Sequence, residues 1–182
     1  MPLPAVHTDS VPKQYHSIGP PLKETEMSMR SLVLSLFMMV CSALSFANDN
    51  PTKDDAKALV KEAVQFVKQN GREKFFNEVR SPNGKFHFKE GTKKGLYIFV
   101  YDEKGVVLAH GVRLELTGKN RWDDKDPDGK YWIRDWTALV QKSGSGWIEY
   151  KEFNPADKNK IMNKASFVEL VDGMVIGCGV YF

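Results

Sequence analysis

Between residues 53 and 68 apolar side chains recur every three or four positions: Ala56, Leu59, Val60, Ala63, Val64 and Val67. That spacing predicts an amphipathic helix with one buried stripe. Thr52 is placed to cap it, Asp54 and Asp55 suit the helix dipole in its first turn, and Asn70-Gly71 stops it. A second helical piece over 72–79 carries Phe75, Phe76 and Val79 before Ser81-Pro82-Asn83-Gly84 ends helical structure. The period then shortens to that of strands. Residues 96–101 and 106–110 flank Asp102-Glu103-Lys104-Gly105, a hairpin turn. Three more strands are expected over 147–153, 164–171 and 174–182, with turns at Asn154-Pro155-Ala156-Asp157 and Asp172-Gly173.

A long helix, two strands, an interruption and a three-strand meander make an α+β domain, an antiparallel sheet of about five strands with helices on one side. The interruption over 111–146 is too long for a simple turn and holds a short aromatic helix from about 130 to 142, ended by Gly144-Ser145-Gly146. A helical insertion of that size over one sheet face is where a pocket is expected.

The first 47 residues have a different texture. Residues 1–28 hold five of the nine prolines and no periodicity, and read as an unstructured leader or a mis-assigned start. Residues 29–47 begin with Met29-Arg30, continue as an apolar run and end Ser45-Phe46-Ala47, the form of a signal peptide cleaved after Ala47. The run is short of the roughly 20 residues that span a bilayer. Residues 48–182 then form the folded domain, placed in the periplasm or secreted. The leader holds three basic and three acidic residues of the chain's 26 and 23, so the domain keeps the net charge of +3. No basic stripe is visible, which argues against nucleic acid as a partner. Cleavage leaves one cysteine, Cys178, inside an apolar run, where it reads as a small buried strand residue.

Candidate chemistry gathers in and around the insertion. Arg134 lies among Tyr131, Trp132 and Trp136, with Trp147 following the helix. A guanidinium between aromatic walls grips a carboxylate with two parallel hydrogen bonds. By periodicity, however, Arg134 turns away from the face shared by Trp132, Trp136 and Leu139 and reads as solvated. His110 ends the second strand at the mouth of the insertion and could donate to a ligand oxygen, or simply pack there. Lys164 could supply a second positive group, or stand exposed at a strand start. Trp147 and Tyr150 differ by an odd number, so one faces the core and the other the pocket. Asp124, Asp126, Asp128 and Asp135, with Gly129, imitate a calcium loop. Pro127 and the short final acid argue against it, and Asp128 as a helix cap is the simpler reading. No catalytic or cofactor motif occurs, so neither an enzyme nor a cofactor is expected.

The run Val107-Leu108-Ala109-His110, then Gly118-Lys119-Asn120, Asp126-Pro127-Asp128-Gly129-Lys130, Gly146-Trp147-Ile148-Glu149-Tyr150, Asn154-Pro155, Lys164-Ala165-Ser166-Phe167-Val168 and the ending 175–181 resemble the single Cache domain. This is an extracytoplasmic, PAS-like sensor module, here in a stand-alone form. The resemblance implies a PAS-like sheet and the binding of a small anionic organic molecule such as pyruvate, lactate, acetate or propionate. It turns Arg134 into a carboxylate ligand, with Lys164, His110 and Tyr150 beside it and Trp132, Trp136 and Trp147 as walls. Phe167 stands where the family commonly has a ligand-side tyrosine. Chemotaxis receptors and kinases use such domains, so a membrane receptor or kinase is an implied partner, and a homodimer through the N-terminal helix is conceivable. A different class also fits the composition: a non-enzymatic envelope interaction protein with a vestigial pocket.

Overall fold

The computed structural model describes residues 50–88, 94–158 and 160–182; the leader and signal-peptide expectations over 1–47 fall outside them. Helix α1 spans Lys53–Asn70. Thr52 closes its start as a reciprocal box: the Asp55 amide donates to Thr52 Oγ1 at 3.1 Å and the Thr52 amide to Asp55 Oδ2 at 2.9 Å. Gly71, at φ 80°, ends it and lets α2 (Arg72–Arg80) set off in a new direction.

The strands are β1 (Phe99–Asp102), β2 (Val107–His110), β3 (Ser145–Asn154), β4 (Lys160–Val171) and β5 (Met174–Tyr181), and helix α3 (Trp132–Ser143) precedes β3. They form one antiparallel sheet in the order β2-β1-β5-β4-β3. The last strand therefore lies in the middle, between the two hairpins. Buried on both faces, β5 loses the alternation of polar and apolar residues and reads as an unbroken small-and-apolar run.

Each face covers a core of its own. On one side α1 and α2 pack Leu59, Val60, Ala63 and Phe75 against Ile98, Val100, Phe167, Ile176 and Cys178. On the other, α3 sets Trp132, Ile133, Trp136 and Val140 over Phe99, Tyr101, Ile148, Tyr150 and Val175. Helices thus cover both faces, where the sequence suggested one.

Three local expectations are corrected. Helix α3 starts at Trp132, and Asp128 does not cap it: residue Tyr131 occupies the cap position without a side-chain bond, while Asp128 pairs with Lys151 at 2.8 Å. Its buried face is wider than Trp132, Trp136 and Leu139, because Ile133, Thr137 and Val140 turn inward with them. Finally, β4 begins at Lys160, four residues before the expected start at Lys164, because Ile161 and Met162 pair with Phe153 and Glu152.

Candidate functional site

Strand parity sorts the expected residues. Tyr150 and Lys164 are paired across β3 and β4, and Lys164 is paired to Tyr181 on β5. Phe99 is paired to Gly177 and to His110. These side chains share the face beneath α3. Trp147 and Phe167, paired one step out of phase, project from the opposite face. There they meet edge to face at 5.5 Å beside the α1 core. The expected grouping is therefore corrected. Trp147 and Phe167 are separated by the sheet from Tyr150, Lys164 and His110, because alternate residues of a strand point to opposite sides.

Arg134 is also set apart. Its Nε donates to the Trp122 carbonyl at 3.1 Å, its other end pairs with Asp123, and its guanidinium lies 3.9 Å from the centre of the Tyr131 ring. It clamps the outer loop onto the back of α3 and is far from fully covered. The helix turns it outward, as the periodicity alone implied.

Lys164 is buried rather than exposed at a strand start. It is 2% exposed, and its Nζ donates to Tyr97 Oη at 2.8 Å. The rings of Tyr97, Phe99, Tyr150 and Tyr181 surround it at 4.8, 5.3, 6.0 and 4.8 Å. Among the described residues no carboxylate forms an ion pair with it. A buried cation without an anion is costly, and aromatic faces offset only part of that cost.

The floor beneath it is made of glycine. A methyl group on Gly179 would come within 2.3 Å of Ser166 Oγ and 3.0 Å of Lys164 Cε, and one on Gly177 within 2.2 Å of the Phe99 ring. The two glycines of β5 clear the space into which Phe99 and the lysine stem are folded. Tyr150 and Ser166 hydroxyls bond to each other at 3.1 Å. Trp132 stacks on Tyr150 at 5.5 Å and Trp136 on Phe99 at 5.2 Å, so both helix tryptophans pack against the aromatic rings around Lys164. Trp136 Nε1 is buried and finds no hydrogen-bond partner among the described residues.

His110, 3% exposed, lies against Tyr97 at 5.1 Å. Its Nδ1 accepts from the Val112 and Arg113 amides at 3.3 and 3.0 Å, which places the ring proton on Nε2. Burial first, then the positive charges of Lys164, Arg113 and Arg121, hold it well below the usual histidine range, so the ring is neutral. Burial likewise pushes the hydroxyls of Tyr97 and Tyr150 upward, keeping both protonated.

A hollow of about 230 Å³ opens between Arg113, Arg121, Trp132 and Glu152. It is smaller than the roughly 300–1,000 Å³ of drug-sized sites. Glu152, 8% exposed, is held by Arg113 at 3.1 Å and faces Arg121 at 3.9 Å. Arg121 also donates to Tyr101 Oη at 3.2 Å and to Asp124 at 2.6 Å. Burial opposes the Arg121 charge, but Tyr101, Glu152 and Asp124 outweigh it and raise its affinity for the proton. None of Tyr97, Phe99, Arg113, Arg121, Glu152, Gly177, Gly179 or Tyr181 was singled out from the sequence. The alternating glycines of Gly177-Cys178-Gly179 are the local signal in the sequence for this close packing.

The aspartate-rich turn is a structural clasp. Asp126, 7% exposed, accepts from the Asp128 and Lys130 amides, both at 2.9 Å, and from the Lys151 amide at 3.1 Å. Burial works to raise its carboxyl, but these amides win and hold it below the ordinary aspartate range. Asp124 goes to Arg121, Asp128 to Lys151, and Asp135 lies 3.9 Å from Lys130. The four carboxylates are committed to separate partners, and among the described residues no group of three or more acids, histidines or cysteines could hold a metal ion.

Comparison with known proteins agrees with this architecture. The methyl-accepting chemotaxis protein from Vibrio parahaemolyticus RIMD 2210633 is 22% identical, covers 71% of this chain and 87% of its own, and superposes with a TM-score of 0.58. A periplasmic sensor domain of a chemotaxis protein gives 22% identity, coverage of 70% and 88%, and a TM-score of 0.55. A Cache chemosensory domain solved to show carboxylic acid recognition gives 18%, 88%, 99% and 0.54 in the same order. At these identities the likeness is one of fold. The model of the family described as single Cache domain 2 matches residues 23–182, and the chain belongs to that family.

Proposed function

We propose that this chain is an extracytoplasmic sensor domain that binds a short organic acid such as pyruvate, lactate, acetate or propionate. In this reading residues 29–47 direct export and are removed after Ala47, and 48–182 is the working domain in the periplasm or outside the cell. The observation that carries it is Lys164, a buried cation ringed by aromatics, with no carboxylate paired to it among the described residues. Lys164 holds the carboxylate, His110 and Tyr150 add hydrogen bonds, and Trp132 and Trp136 exclude water so that those bonds count. Arg134, Trp147 and Phe167 serve the fold. The carboxylic acid recognition of a family relative supports the ligand class by analogy. Transfer of the signal would pass to a membrane receptor or kinase, with α1 as the surface for a homodimer.

Thermal-shift measurements on the purified protein test this. A ligand at 100 times its dissociation constant adds about 2.7 kcal/mol of stability. The expected result is a shift with one or more short acids that vanishes in Lys164→Met and survives in Arg134→Ala. Loss in Arg134→Ala with retention in Lys164→Met would return the carboxylate to the outer loop. A folded protein silent to every acid would favour the interaction-protein reading instead.

A further inference from the structure

The hairpin of β3 and β4 outruns the helix that covers it. Lys53, in the first turn of α1, reaches Glu149 of β3 at 2.8 Å, and β3 continues to Asn154. Past that point, parity puts Lys151 and Phe153 on the face of Glu149, with their β4 partners Asn163 and Ile161 beside them. Phe182 joins this overhang, its amide donating to the Asn163 carbonyl at 3.0 Å. Phe153, Ile161 and Phe182 are 47%, 44% and 58% exposed, three of the four exposed large apolar side chains among the described residues. A hollow of about 530 Å³ opens between Ile161, Phe182, Pro127, Lys151 and Lys160, and Phe153 and Ile161 also rim the hollow at Arg113 and Arg121.

Charge around this patch is predominantly positive. The two hollows are lined by Arg113, Arg121, Lys125, Lys151 and Lys160 against Asp124, Asp126 and Glu152. The acids are all engaged: Asp124 by Arg121, Asp126 by backbone amides and Glu152 by Arg113. Lys151 is paired with Asp128. Lys125 and Lys160 are left without a carboxylate among the described residues, Lys125 facing only the Tyr131 ring at 4.7 Å.

Three half-exposed side chains present roughly 300 Å² of apolar surface. That is well short of the roughly 800 Å² per partner of a stable protein interface. A bilayer asks for no such matching area. A few apolar side chains in its interface, with lysines meeting anionic headgroups, give reversible binding. We propose that this end of the domain docks on the surface of a bilayer containing anionic lipid. Phe153, Ile161 and Phe182 enter the headgroup region, and Lys160, Lys125 and Lys151 meet the lipid phosphates. Asn50 and Pro51, the described residues closest in sequence to the apolar run 32–47, share a hollow with Phe182. The end of the domain joined to that run is therefore the end that carries the patch. The docking goes beyond the acid-binding reading and does not depend on it.

Co-sedimentation of the purified protein with vesicles of phosphatidylcholine, alone or mixed in equal parts with phosphatidylglycerol, tests this. Wild type and variants are prepared from the same chain, so any retained part of residues 1–47 is common to all. The expected result is sedimentation that requires phosphatidylglycerol and is released by salt. Phe153→Ser combined with Ile161→Ser should weaken it at least about tenfold. Lys160→Gln should weaken it about fivefold, and Phe182→Ser should weaken it independently of both. Sedimentation that is absent, indifferent to phosphatidylglycerol or unchanged in every variant overturns the proposal. A concentration-dependent dimer abolished by the same substitutions, without sedimentation, overturns it in favour of a second copy of the chain. The comparison of the two vesicles on wild type stands should a variant fail to fold.

Discussion

His110 cannot take a second proton without giving up two backbone hydrogen bonds, because the nitrogen that would receive it already accepts from Val112 and Arg113. Free in an unfolded chain the imidazole titrates near 6.5, whereas folded it titrates well below that value. As pH falls through the unfolded value, the unfolded state gains a proton that the native state refuses. The contribution of His110 is therefore complete above that window and declines on acidification. Melting temperature is expected to fall between about pH 7.5 and pH 5, with a shallower slope in His110→Gln. An equal slope in the two proteins would place the titration elsewhere. The lysine makes the opposite kind of prediction. Lys164→Met removes a buried cation without removing its hydrophobic stem, so the ligand-free variant should melt no lower than wild type while losing its response to acids.

At the scale of elements, the loop between β2 and α3 is fastened to the edge of β3 rather than draped over it. Asp126 takes the Lys151 amide and Lys130 Nζ donates to the Glu149 carbonyl at 2.6 Å, so two side chains pair with strand groups that no neighbouring strand covers. Asp126→Ala leaves three amides without their acceptor and should cost about 1–3 kcal/mol. Hydrogen exchange should then rise at Asp128, Lys130 and Lys151 first, and exchange unchanged at these amides would count against the clasp. Gly177→Ala drives a methyl group into Phe99 and should cost about 1–3 kcal/mol through overpacking. The elements themselves were largely legible beforehand. The stripe of α1, the cap at Thr52 and the hairpin turns are local signals, and they hold. Which strands lie side by side is not a local property. Parity along β3 showed that Trp147 and Tyr150 face apart, but nothing local says that β5 enters between the hairpins. Without that pairing, Tyr97, Phe99 and Tyr181 could not be placed around Lys164. The sequence drew attention to Arg134 because its aromatic neighbours are close along the chain. The cluster around Lys164 is built from residues close only in space.

Across the whole molecule the two cores share one sheet, and β5 contributes to both. Neither core can be lost while the other keeps its floor, so unfolding should be a single cooperative event. Tryptophan fluorescence, which samples Trp122, Trp132 and Trp136 on one face and Trp147 on the other, should give the same urea midpoint as far-ultraviolet circular dichroism. Separate midpoints would mean that one layer detaches first. On the α1 side of the same sheet, the lysine side chains of Lys57 and Lys61 lie over Phe167 of β4 at 5.5 and 5.6 Å.

Cys178 sits in that strand with its side chain fully covered and its thiol pushed up to about 12 by burial. Thiolate is scarce there and no reagent can reach it until β5 parts from its neighbours. The residue is consequently a clock. The rate at which a thiol-directed reagent modifies Cys178, read by mass at that peptide, times how often the centre of the domain opens, and a bound acid should slow the clock in proportion to its own occupancy.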